Sequence, residues 1–139
     1  MPPSHRRSDC PITFCLELVG DRWTMLVIRD MVMFGAQRFS EFQSGTEGIA
    51  TNVLSDRLQR LTEGGIVVCS ADPDDGRRKL YRLTHKGLDL VPILIDLARW
   101  GATHDPHTGI SVEFKNRVEN DRDGVIAALR AQLESLGHG

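Results

Sequence analysis

From Thr51 to Glu63 the leucines Leu54, Leu58 and Leu61 recur at spacings of four and three, while Asn52, Ser55, Asp56, Gln59 and Arg60 fall on the other face. That period predicts an amphipathic helix, and the double glycine Gly64-Gly65 ends it. Just upstream, "RFSEFQSG" offers Ser40 as a cap with Gln43 three residues on, so a helix of one or two turns is expected there. A short helix, a tight connection and a second helix with a polar outer face form a helix-turn-helix. Two more helices precede it. "SDCPITFCLELVG" has Pro11 in its first turn and Gly20 as its stop, and a second helix runs from Asp21 as cap to Gly35 with a middle apolar nearly all round.

After the double glycine the period changes. "IVVCSA" and "KLYRLT" are short runs of β-formers separated by "DPDDGRR", whose Pro, Asp and Gly are turn residues. A hairpin directly after a helix-turn-helix is the order of a winged helix, so the expected fold is α+β and mainly helical, with a two-stranded wing and additional dimerisation helices. Thr84 can cap one long helix through "HKGLDLVPILIDLARWGATH", whose apolar residues cover roughly 200° of its circumference at about 100° per residue. One core cannot absorb so wide a stripe, which points to a second subunit. Beyond Pro106 and Gly109, "ISVEFK" alternates like a short strand. Ile126, Leu129, Leu133 and Leu136 form a seam too short for a coiled coil alone, so this last segment should dock on a neighbour.

Composition adds boundaries. At 139 residues the chain is one domain in length, with 40% apolar and 26% charged residues and no apolar run of membrane-spanning length. The start "MPPSHRRSDCPITF" lacks the pattern of a secretory signal, so a cytoplasmic protein that does not engage membrane is expected. Cys10, Cys15 and Cys69 are odd in number and match no disulfide or CxxC spacing, which favours reduced thiols. The net charge of −2 is unevenly spread: residues 1 to 104 balance 13 Lys and Arg against 13 Asp and Glu, and the deficit lies after them. The positives gather at Arg6 and Arg7, at Arg57 and Arg60, and above all at Arg77, Arg78, Lys79 and Arg82. Nucleophile elbows, phosphate-binding glycine loops and HExxH are absent from the sequence, so neither an enzyme nor a cofactor site is expected. His104 and His107 stand near Asp105, but the proline between them argues against a metal site.

"CPITFCLELVGDRWTMLVIRDM", "RFSEFQ", "GIATNVLSDRLQRLTEGGIV" and "YRLTHKGLDLVPILIDLARWG" together resemble the HxlR-type, MarR-like winged-helix transcription regulators over about residues 8 to 104. The resemblance implies a dimeric bacterial regulator with a helix-turn-helix, a β-hairpin wing, and dimer contacts from its first and later helices. Ala50 stands where a serine cap often sits, a departure that leaves Thr51 as a substitute cap. Residues 105 to 139 form an extension outside the resemblance, expected to support the dimer.

Within that frame the candidate DNA contacts are few. Arg77, Arg78 and Lys79 at the wing tip can reach phosphates, unless they only protect a strand edge; Asp72, Asp74 and Asp75 in the same turn weaken their field. Thr51, Asn52, Ser55 and Gln59 are placed to read bases in a major groove, with Asn and Gln suited to adenine. Arg60 and Arg38 are further backbone contacts, Ser40 is either a contact or a cap, and Arg57 is either a phosphate contact or an ion-pair partner. Asp56 can accept from cytosine N4 or from Arg60 four residues on. Cys10, before Pro11 at a helix N-terminus near Arg6 and Arg7 but beside Asp9, is either a redox sensor, a use the resemblance implies for some members, or a cysteine that packs at the dimer interface. Cys15 and Cys69 read as inert core residues, Trp23 and Trp100 as core or interface. The expected function is a homodimeric, sequence-specific regulator, more often a repressor, on a pseudo-palindromic double-stranded operator. A small apolar effector could bind between the long helix, the second helix and the tail. The competing reading is a winged-helix module that binds protein and no DNA.

Overall fold

The computed structural model describes residues 8–45 and 47–136; Arg6 and Arg7 lie outside them. In chain order come α1 (Pro11–Val19), α2 (Arg22–Phe34), α3 (Phe39–Gln43), α4 (Thr51–Glu63), β1 (Val67–Ala71), β2 (Lys79–Leu83), α5 (His85–Leu88), α6 (Val91–His104), α7 (Val112–Asn120) and α8 (Arg122–Ser135). This is a winged helix-turn-helix backed by a helical layer of α6, α7 and α8.

Local chemistry explains most of these boundaries. Asp21 caps α2 by accepting the Thr24 amide at 3.0 Å, and Gly35 ends the helix in the left-handed region. Leu54, Leu58 and Leu61 of α4 are fully buried against Val27 and Ile28 of α2, within a core that also takes Val67, Val91 and Ile95. Truncating one of these leucines to alanine costs about 2–5 kcal/mol. The exit from α4 needs Gly65, whose φ of 73° disfavours any residue with a Cβ. Gly87 answers a different need: a Cβ there would sit 2.3 Å from the Ile66 carbonyl oxygen, so the chain after the wing folds tightly onto the chain before it.

Cys69 pairs with Tyr81 and Ala71 with Lys79 in the antiparallel hairpin. The hairpin is also tied sideways, because the Tyr81 amide donates to the Gln37 carbonyl at 2.8 Å in the α2–α3 linker.

Three expectations need correction. The short third helix starts at Phe39 rather than after Ser40, and the acid that caps it is Glu41, which accepts the Arg38 amide at 2.8 Å and the Gln37 amide at 3.1 Å. The long helix after Thr84 is broken into α5 and α6. Pro92 has no amide to donate and its ring would clash with the Leu88 carbonyl; that oxygen instead accepts the Arg130 guanidinium of α8 at 2.9 Å. "ISVEFK" is helical, not a strand: Ser111 caps α7 by accepting the Phe114 amide, and the spacing of four between Phe114 and Val118 turns both inward. The last segment does dock, with Val125 and Ile126 buried and Arg122 forming a bidentate pair with Asp96 of α6 at 2.8 Å to each oxygen. No helix among the described residues is long and apolar enough to cross a membrane.

Candidate nucleic-acid interface

The outer face of α4 carries Thr51, Asn52, Ser55, Gln59 and Arg60, all exposed. Ala50 is the N-cap and supplies no side-chain bond; Thr51 does not replace it, since its hydroxyl accepts the Gln43 side-chain amide of α3 at 3.0 Å. The start of α4 is therefore fixed by the preceding helix. Its orientation is fixed by Arg57, whose guanidinium reaches Asp21, the cap of α2, at 3.1 Å, and also pairs with Asp56. Arg57 is thus an ion-pair partner. Across the α3–α4 connection, Arg29 of α2 holds Glu47 through two bonds of 2.7 and 2.8 Å.

Between α4 and the wing lies an open cleft of about 280 Å³, walled by Ser55, Gln59 and Thr62 on one side and Cys69, Lys79 and Tyr81 on the other. The structure thus brings two base-reading candidates and one wing cation to a single groove. Arg77 and Arg78 stand further out at the tip, the Arg77 side chain 93% exposed, and both lean on Asp75 at 3.3 and 3.5 Å. Gln59 is engaged with Glu63 at 3.1 Å, and Arg60 pairs with Asp56 at 3.7 Å.

Arg38 is engaged by the turn of the wing. Its Nε donates to Asp72 at 2.7 Å, and Asp74 approaches a terminal nitrogen at 3.6 Å. Asp72, only 1% exposed, also accepts the Asp74 amide at 2.9 Å. The Arg38 guanidinium first, then that amide, hold its carboxyl below the ordinary range. Asp72 is therefore a latch joining the turn of the wing to the start of α3, a role the sequence does not signal because its partner lies 34 residues away. Ser40 is exposed on α3 and does not cap it.

Cys69 is half-buried in the cleft wall and not a core residue; desolvation first and then this sulfur raise the Tyr81 hydroxyl above its ordinary range. The face of the hairpin turned to α4 decides this, and alternation with Lys79 and Tyr81 was the available signal. Cys15 packs against the core. Cys10 is the N-cap of α1 and makes no side-chain capping bond; the nearby Thr13 and Ile12 amides and then the Thr13 hydroxyl lower its thiol pKa.

A second surface is apolar. Ile12, Phe14 and Leu16 of α1 are exposed, as are Ile93, Leu97 and Trp100 of α6, Trp100 by 68%. Trp23 is half-buried, with the Arg22 guanidinium 4.9 Å over its ring. Where an effector pocket is expected, between α2, α6 and α8, Ile28, Ile95 and Val125 are buried in one cluster. Another cleft, of about 390 Å³, lies at the end of α2 beside Arg29, Asp30 and Phe34.

Comparison with known proteins adds independent findings. Residues 18–108 match the sequence model of the HxlR-like helix-turn-helix family. An HTH-type transcriptional regulator of Mycobacterium tuberculosis is 40% identical over 106 residues, an alignment spanning 74% of this chain and 64% of that protein's length. Among solved structures, PA1607 superposes with a TM-score of 0.68 at 38% identity over 78% of this chain and 75% of that one. The redox regulator HypR in its oxidized form superposes with a TM-score of 0.61 at 28% identity over 68% of this chain and 97% of that one.

Proposed function

The chain belongs to the HxlR-like helix-turn-helix family of transcriptional regulators, and from that premise we propose that it binds a pseudo-palindromic DNA operator as a homodimer, with α4 in the major groove and the wing on the adjacent backbone. The observation that carries this reading is the cleft between α4 and β2, where exposed Ser55 and Gln59 face Lys79 across a width open to solvent. Asn52 and Gln59 read base edges; Arg77, Arg78 and Lys79 supply sequence-independent attraction to phosphates. Repression follows where the operator overlaps a promoter.

Dimerisation is supported by the exposed apolar residues of α1 and α6, which a lone subunit leaves in water. Redox control is supported by Cys10 at a helix N-terminus with a lowered thiol pKa, and by the likeness to a redox regulator. The test is selection of a random duplex library by the purified protein at two salt concentrations, followed by sequencing. An enriched inverted repeat is expected, with half-sites about one helical turn or a multiple apart. Unselective binding that disappears with salt, in both reducing and oxidising buffer, would refute the reading and leave a module that binds protein.

A further inference from the structure

Helix α8 lies beyond the 18–108 stretch matched by the family, yet its final turn ends at the root of the wing. Leu133, half-buried against the core, and the more exposed Leu136 line a gap of about 20 Å³ together with Tyr81, Arg82 and Leu83 of β2, Met31 of α2 and Ala36 and Gln37 of the α2–α3 linker, room for one water at most. We propose that α8 positions the wing: Leu133 and Leu136 brace β2 against the linker and so set the affinity of the DNA-binding face without touching DNA. The proposal rests on the reading of α4 and the wing as that face.

Three observations combine. A two-stranded hairpin is marginal by itself and takes its orientation from what packs on it. Here one face of the hairpin packs and the other does not: Val67 turns inward and is buried, while Val68 on the opposite face is 45% exposed. The orientation therefore depends on what holds the inner face: the Arg38–Asp72 latch at the turn end, the Tyr81 amide on Gln37 at mid-strand, and the gap that Leu133 and Leu136 line beside them. Second, α8 is itself anchored away from the wing, by Arg122 on Asp96, by Val125 and Ile126 in the core, and by Arg130 on the Leu88 carbonyl. It is a fixed support. Third, the braced residue leads directly to the interface. Tyr81 and Lys79, two apart on one face of β2, both wall the cleft beside α4, and the Tyr81 ring meets Phe42 of α3 edge-on at 6.4 Å. A shift of β2 at Tyr81 moves Lys79 with it.

Leu133→Ala and Leu136→Ser in the full chain test this by two readouts. Amide hydrogen exchange is expected to rise about tenfold at Tyr81 and across β1 and β2, with the amides of α4 unchanged. Affinity for the selected operator should fall roughly threefold to tenfold with base preference preserved, and Leu133→Met should restore both. Equal loosening of α4 and the wing would mean general destabilisation and would overturn the proposal. So would a wing that stays protected in both variants, an outcome that leaves the DNA-binding reading intact. If the unaltered protein selects no duplex, that reading fails and takes the affinity claim with it, while the exchange pattern still decides whether α8 braces the wing.

Discussion

Arg77 and Arg78 share one carboxylate, Asp75, and are otherwise the most outlying cations of the wing. Exposed pairs of this kind hold little energy, so a phosphate can displace Asp75 at small cost. Replacing both arginines by alanine should therefore weaken binding on every duplex and reduce the salt slope by about one per lost contact, while Gln59→Ala should alter base preference at one position and leave the slope alone. Titration by fluorescence anisotropy across salt and sequence separates the two; identical behaviour of both variants would misplace the interface. Asp72 is a different kind of acid. Its folded pKa is depressed by Arg38, so its stabilisation is fully present above the ordinary carboxylate range and is lost as pH falls through the folded value. Denaturant unfolding at pH 7 and pH 3 should show a smaller acid-induced loss in Asp72→Asn than in the native chain, since that variant no longer titrates there. Cys10 gives a third prediction at this scale. Mild oxidant should change operator affinity in the native protein and leave Cys10→Ser unaffected, and equal responses would remove Cys10 as the sensor.

Among elements, the junction of α5, α6 and α8 is the one where sequence and structure part and where a single side chain mends the difference. Pro92 strips the Leu88 carbonyl of its helical partner, and Arg130 replaces it at 2.9 Å. Arg130→Ala leaves that part-buried carbonyl short of a donor and should cost about 1–2 kcal/mol in chemical denaturation. Asp89→Ala, which removes only the exposed partner of the same guanidinium, should change stability by less than about 0.5 kcal/mol. If the two variants are equally destabilised, the carbonyl is not what Arg130 serves. The other elements show why some boundaries were legible and others not. α1, α2, α4 and the hairpin announce themselves through signals within a few residues: Pro11, the Asp21 cap, the leucine period, the Asp-Gly turn. α7 misleads because Ile110, Val112 and Phe114 alternate while Phe114 and Val118 keep helical spacing, and only burial of the second pair decides between them. The break at Pro92 was written in the sequence; the donor that makes it tolerable came from 42 residues away. The same distinction runs through the site. The exposed polar row of α4 follows from its leucines, whereas the Arg38–Asp72 latch and the turning of Cys69 toward α4 depend on how separate elements pack.

For the whole molecule, the unequal treatment of α6 is the governing fact. Leu94 and Ile95 are buried by the chain's own core, while Ile93, Leu97 and Trp100, spaced four and three apart, face outward. The helix is apolar on two sides and, among the described residues, has a partner on only one. A second copy is the occupant that the proposed inverted-repeat operator calls for, since a two-fold axis relating the subunits presents two copies of α4 to two half-sites. Leu97→Glu with Trp100→Glu places charge on that outward face without touching the buried side, so the subunit should still fold. Sedimentation should then report a monomer, and operator affinity should fall by about a hundredfold or more, because the second half-site is no longer held at high effective concentration by the first. Affinity for an isolated half-site should be unchanged. A variant that stays dimeric would place the interface elsewhere, on α1 alone, and a monomer that keeps full operator affinity would mean that one subunit reads the site unaided.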